Sequence, residues 1–385
     1  MRYPPERDFG FYQRRKHDVW REVPVPSPAL EAAVADSHAH IHSLPDPAWE
    51  LVRCAANGVD FVCSIVDPSE DGSRPFDELD SWIEAAEKAK NRGETRNLHA
   101  NAEISSQNGI SRQFQSGNGA IKPLQTADRG EKSPNQPDLE GKSANERDSV
   151  TDFERSRVNL QETAIPGVKL AAGIHPHNAK LYDDAAEQEL LSRLADPRVV
   201  ALGEIGLDFY YDLSPRDVQE RVFRRQIAIA KELGLPVVLH LRGGKDPKTD
   251  NAHRQAFGIL QEVGFPERGT LLHCCSLPPD ELVPWVEADC YVAYGGALTF
   301  KSSDAAREGA CIVPEDRLLV ETDSPYMTPE PMRGVGCTPA HVIFTAAALA
   351  EVRGIAPGEA RQAFLEQLHA NTLQFYSSRY EEDAS

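Results

Sequence analysis

Eight times along this chain a short apolar or β-branched run gives way to a helical pattern, and that alternation limits the fold more than any other feature. The runs fall at 33–38, 60–66, 169–175, 199–206, 235–241, 269–274, 290–295 and 317–323. Helical periodicity occupies about 46–57, 76–90, 183–195, 215–233, 251–264, 279–287, 302–311 and 339–352, with a last helix at 358–377. Strands that are apolar nearly throughout belong to a parallel sheet covered on both faces. Eight such units predict a (β/α)8 TIM barrel, which closes the sheet and leaves no edge. A doubly wound open sheet would need a glycine-rich phosphate loop after its first strand, and Asp36-Ser37-His38-Ala39-His40 stands there instead.

The helix at 215–233 illustrates the local reading. Ser214 is placed to cap it, Pro215 suits its first turn, and Asp217 lies at the capping-box offset. Phe223, Ile227 and Ala230 share one face, and Gly234 with Pro236 ends it.

The chain has 385 residues, more than the ~250 a barrel of this kind needs. The surplus lies in two segments. Residues 1–33 form an N-terminal extension whose Phe9, Phe11, Tyr12 and Trp20 predict that it packs against something rather than hanging free. Residues 91–164, between the second helix and the third strand, are rich in Asn, Gln, Ser, Gly and charge and lack a sustained period, so disorder is expected. As an αβ connection, this low-complexity insert should leave the barrel at the face opposite its chemistry. Residues 378–385 read as an acidic tail.

Acidic residues outnumber basic ones 60 to 41, for a net charge of −19, which argues against a sequence-independent grip on long duplex DNA. No run of ~18 apolar residues predicts a membrane span, and the first twenty residues carry no secretory pattern. Seven cysteines without a CxxC pair fit a reduced, cytoplasmic protein.

The strand ends carry the chemistry. The first runs into His38 and His40, two residues apart and therefore on one side of an extended segment. Glu204 ends the fourth, His240 the fifth, His273 the sixth and Asp323 the eighth. In a barrel these ends meet on one face, bringing four imidazoles and two carboxylates into one bowl. A single histidine at a strand end is usually a hydrogen-bonded core residue. Five strand ends in one register are not explained that way. Divalent metal ions would relieve the crowding, one held by His38, His40, Glu204 and Asp323, a second by His240 and His273 with Glu204 as a bridge. Mixed nitrogen and oxygen donors suit Zn²⁺ or Mn²⁺ better than Mg²⁺. Histidines 17, 99, 253, 341 and 369 are expected to be solvated, and Cys274 and Cys275 to serve packing.

The motifs DSHAH, AAGIHPHNA, ALGEIGLDFYY, ELGLPVVLHLR, LLHCCS and RLLVETDSPYMTP, in this order, resemble those of the TatD family of metal-dependent hydrolases in the amidohydrolase superfamily. The resemblance spans about 34–90 and 165–377. It implies a divalent-metal barrel and, for many members, a deoxyribonuclease, often a 3′–5′ exonuclease on single strands. It implies that His38, His40, Glu204, His240, His273 and Asp323 are metal ligands, that Asp323 takes the proton of a metal-held water, and that Asp323 and Glu204 form the catalytic pair. His175, His177 and Arg242 are implied as substrate or phosphate contacts, the two histidines alternatively supporting the ligands from behind. The chain departs from the family at His42, Cys275, Leu277, Gly243-Gly244-Lys245 and Cys337-Thr338. A hydrolase of a small ester, lactone, amide, phosphotriester or aminoacyl ester is the alternative, and a non-catalytic barrel whose insert recruits a partner is a third reading.

Overall fold

The computed structural model describes residues 10–17, 19–92, 163–246 and 250–377. The low-complexity insert and the acidic tail lie outside them, apart from the insert's margins at 91–92 and 163–164. Eight strands form one parallel sheet: β3 (Val34–Ala39), β4 (Val59–Val66), β5 (Gly167–Ala172), β6 (Val199–Asp208), β7 (Val237–Arg242), β8 (Thr270–Leu272), β9 (Tyr291–Tyr294) and β10 (Leu318–Val320). They neighbour one another in chain order. The ring closes where a parallel bridge joins Ala39 to Ser324 and the Asp323 amide donates to the His38 carbonyl. The fold is a (β/α)8 barrel.

Six of the strands are buried along nearly their whole length, as a sheet inside a ring of helices requires, while β5 begins exposed and β7 opens toward solvent from His240 to Arg242. Ala35, Cys63, Ile65, Ala171, Ala201, Val238, Leu271, Ala293 and Leu319 belong to one core cluster, with Phe375 and Tyr376 of the last helical segment. The Tyr376 hydroxyl donates to the Ser37 carbonyl, tying that segment to the strand that bears His38.

The helix Arg216–Leu233 does more than cover the sheet. Its buried face includes Phe223, Ile227 and Ala230, and Gly234 ends it in the left-handed region at φ 61°. Two buried glutamines on it hold strand exits. Gln226 brackets the backbone of Ile174, accepting from its N–H and donating to its carbonyl. Gln219 does the same for Asp208. Ser214 does not cap this helix. Its hydroxyl donates to the His177 carbonyl and accepts from the Lys180 amide, so the turn after β5 takes the group that was expected at the N-terminus.

Ahead of the barrel stands an antiparallel hairpin, β1 (Phe11–His17) and β2 (Val19–Val25). Phe11 is buried, its ring edge-on to His341 at 5.1 Å and to Phe344 at 4.8 Å. Beneath it Arg53 donates to the carbonyl of Gly10 and lies 3.4 Å from the buried Glu50. His341, expected in solvent, is therefore 1% exposed, because the extension covers it.

Candidate metal centre

All the strand-end residues singled out by the sequence lie at the C-terminal mouth of the barrel. His38 Nε2 stands 3.6 Å from Glu204 Oε2 and 3.8 Å from Asp323 Oδ1. His40 Nε2 stands 4.0 Å and 3.6 Å from the same two atoms. These separations exceed a hydrogen bond. Donors bound to one ion at about 2.1 Å in a tetrahedral arrangement stand about 3.4 Å apart, close to what is seen. Both ring nitrogens of His38 are buried with no hydrogen-bond partner among the described residues. Orphaned polar atoms of this kind are rare in a packed interior, and a cation in the cage would satisfy Nε2, the nitrogen that faces Glu204 and Asp323. Burial and the neighbouring His273 keep the His38 ring neutral, which is the form that binds metal.

Glu204 faces the other way with its second oxygen. Oε1 meets His240 Nδ1 at 2.5 Å and His273 Nε2 at 2.9 Å. Burial pushes its carboxyl up, but these imidazoles outweigh burial and hold it well below the usual range. The His240 and His273 rings are driven up in turn by Glu204, against burial that would lower them. The two halves of the bowl thus differ: an open cage around His38, His40 and Asp323, and a hydrogen-bonded one around His240 and His273. Glu204 is shared between them.

Two carboxylates complete the bowl that were not singled out in the sequence. Asp208, buried at the end of β6, accepts at Oδ2 from His177 at 2.8 Å and faces His240 Nε2 at 3.2 Å. Its Oδ1 accepts the amides of Tyr210 and Tyr211. Burial would raise its carboxyl, yet the bonds from His177 and His240 hold it far below the ordinary range. Glu321, also buried, stands 3.4 Å from His273 Nδ1 and accepts from the Cys274 amide. The signal for both was alternation: Asp208 lies four residues after Glu204 on one strand, and Glu321 two before Asp323.

His175 sits with its Nε2 3.9 Å from Glu204 Oε1. Its Nδ1 accepts the His177 amide, so a neutral ring carries its proton on Nε2, toward the bowl. Burial and His240 keep it neutral. Groups of donor atoms within 4.8 Å of one another unite His38, His40 and Asp323; Glu204, His240 and His273; His38, His273 and Glu321; and His175, His177 and His240. Arg242 lies at the rim, exposed, its guanidinium 4.3 Å from the ring of Tyr210 and 4.7 Å from that of Tyr211. His42 is buried against Asp71 at 3.1 Å, Cys275 and Leu277 are buried, and Cys274 follows the end of β8 with φ 48° rather than within a strand.

The family model described as TatD related DNase matches residues 35–377. The chain is 36% identical over 213 residues to the uncharacterized metal-dependent hydrolase YabD of Bacillus subtilis, covering 54% of this chain and 80% of that protein. It is 33% identical over 218 residues to the 3′-5′ ssDNA/RNA exonuclease TatD of Musicola paradisiaca, covering 54% and 80%. Among solved structures, the TatD homolog YjjV of Escherichia coli superposes with a TM-score of 0.60 at 20% identity, covering 89% of this chain and 97% of that one.

Proposed function

This chain belongs to the TatD-related DNase family of metal-dependent hydrolases, and on that premise we propose that it removes nucleotides from the 3′ end of single-stranded DNA. The observation that carries the reading is the cage of His38, His40, Glu204 and Asp323, whose donor atoms stand 3.6–4.0 Å apart around a buried His38 Nε2 that has no hydrogen-bond partner. These four would hold one divalent ion. His240 and His273, with Glu204 shared, would hold a second by giving up the protons they now share with that carboxylate. The donor set favours Zn²⁺ or Mn²⁺ over Mg²⁺. When bound, such ions polarise a phosphoryl oxygen and lower the pKa of water toward ~7.

The chain's own groups supply the rest. Burial alone would raise the Asp323 carboxyl, but His40, His273 and His38 hold it low, so it is ionised at neutral pH and able to take the proton of the attacking water. Glu204 stays ionised for the same reason and fixes His240 and His273. His175, neutral with its proton on Nε2, donates to a phosphoryl oxygen. His177 and Arg242 meet the phosphate further out. The net charge of −19 repels long polyanions, so an accessible end is favoured over the middle of a duplex.

No helix among the described residues is long and apolar enough to cross a membrane. Seven cysteines are unpaired, five of them buried, which supports a reduced, cytoplasmic setting. We assign catalysis to 34–377 apart from the insert.

The test is cleavage of single-stranded DNA, labelled at either end, after chelation and after return of Mn²⁺, Zn²⁺ or Mg²⁺. Stepwise shortening from the 3′ end that chelation abolishes and Mn²⁺ or Zn²⁺ restores supports the reading. Turnover of small esters with none of DNA would transfer the site to small-substrate hydrolysis.

A further inference from the structure

Leaving aside the hairpin residues 12–22, the exposed aromatic residues among those described are three tyrosines, and all three stand at the mouth of the bowl. Tyr210 and Tyr211 follow the end of β6, at 45% and 52% exposure, and Tyr326 follows the end of β10, at 51%. Single exposed apolar side chains scattered over a surface need no explanation. Three aromatics gathered at one opening, with no other exposed one among the described residues of the barrel, do. In the ring of eight strands β6 and β10 are half a circumference apart, so the tyrosines flank the opening from opposite sides.

Their placement is fixed from below. The amides of Tyr210 and Tyr211 both donate to Asp208 Oδ1 at 2.8 Å, and the other oxygen of that carboxylate holds His177 and faces His240. The two rings stand edge to face, 5.1 Å apart at 86°. The Arg242 guanidinium lies over both. Tyr211 is 5.4 Å from the His177 ring, and Tyr326 is 6.2 Å from the His40 ring. The aromatic surfaces therefore begin where the imidazoles end. A planar cation already lies against the first pair, and much of each ring still faces solvent.

We propose that Tyr210 and Tyr211, braced by Arg242, form a stacking platform for the bases at the 3′ end of a single-stranded nucleic acid, with Tyr326 as the opposite wall. The inference rests on the nuclease reading and adds to it what the enzyme recognises besides phosphate. Every base has a π-face, so aromatic stacking binds single strands with little regard to sequence, and it fails for bases already paired in a duplex. It also gives a protein of net charge −19 a way to hold a polyanion that does not depend on a broad basic surface.

The experiment compares two oligonucleotides with the metal-loaded, full-length enzyme: an ordinary single strand, and the same strand whose two 3′-terminal nucleotides carry tetrahydrofuran in place of the base. The wild type should favour the strand with bases by roughly ten-fold or more in kcat/KM. In Y210A/Y211A that ratio should fall toward one, and Y210F/Y211F, which keeps the rings and removes the hydroxyls, should restore it. If the wild type cleaves both strands equally, or the ratio survives the alanine substitutions, the platform is overturned and the nuclease reading stands. Cleavage of neither strand removes the nuclease reading and the platform with it.

Discussion

Asp208 Oδ2 lies 3.2 Å from His240 Nε2 while Oδ1 of the same carboxylate accepts the amides of Tyr210 and Tyr211. One side chain thus orients a candidate metal ligand and shapes the rim above it. Asparagine has a single acceptor oxygen and serves only one of these two sets. D208N is expected to weaken metal binding and lower turnover by about 10- to 100-fold, the range found when the partner of a ligating histidine is changed. Metal titration of the apo-protein alongside steady-state kinetics checks this, and unchanged metal affinity would reduce Asp208 to a loop support.

Asp323 is the group proposed to take the proton of the attacking water, and its amide also helps close the barrel through the His38 carbonyl. Only the carboxylate is lost in D323N. Turnover should fall by roughly 10³-fold or more while the thermal midpoint stays near that of the wild type. Appreciable nuclease activity in folded D323N would remove the basis for its role.

Much of this was legible in the sequence because barrel strands are apolar runs and their ends are punctuated by unusual residues. His38, His40, Glu204, His240, His273 and Asp323 stand out because each interrupts an apolar run. Asp208 and Glu321 do not, since each sits near a carboxylate already noticed and reads as part of the same strand end. Gln219 and Gln226 look like ordinary polar positions on an amphipathic helix, and only the paths of β5 and β6 reveal what they bond. The hairpin at Phe11–Val25 carries no two-residue glycine turn of the favoured kind. His341 was misread for the same reason: its burial depends on a strand more than three hundred positions away.

His341 supplies a pH dependence. Its Nδ1 accepts the Thr338 amide in a capping box, and burial, with Arg53 nearby, pulls its pKa down to about 3. The ordinary value is about 6.5, so the unfolded chain takes up the proton first. Stability from this group is therefore present in full above pH ~6.5 and is lost as pH falls from there toward 3. Glutamine keeps the capping box and does not titrate. Between pH 7 and pH 5 the wild type should lose about 2 kcal/mol relative to H341Q in urea unfolding. A difference that stays constant across that interval would show that the folded histidine takes up its proton as readily as the unfolded one.

Arg53 tests the seat of the extension. It is buried beside Glu50, donates to Gly10 and lies 5.9 Å from the Phe11 ring. Burial already pushes the Glu50 carboxyl up, and Arg53 is the leading influence that opposes it. R53M leaves that carboxylate without its cation, and the expected loss is about 3 kcal/mol. E50Q/R53M should recover part of it, because no charge then remains to be buried. Equal unfolding midpoints for the single and double variants would mean that the loss came from the contacts to the hairpin instead.

Gly206 lies midway between Glu204 and Asp208, with φ 147°, and a Cβ there would meet the His240 carbonyl oxygen at 2.0 Å. That contact is backbone against backbone, so no side chain can swing aside. Alanine must therefore spread β6 from β7 where both carry their functional groups, moving Glu204 and Asp208 away from His240. G206A should lower both the unfolding midpoint and metal affinity, whereas G258A, on the helix Ala252–Val263 where an added Cβ meets nothing within 4 Å, should leave metal affinity unchanged and raise the midpoint a little, as alanine does for glycine inside a helix. Full metal affinity in G206A would show that the contact between these strands does not set the spacing of the bowl.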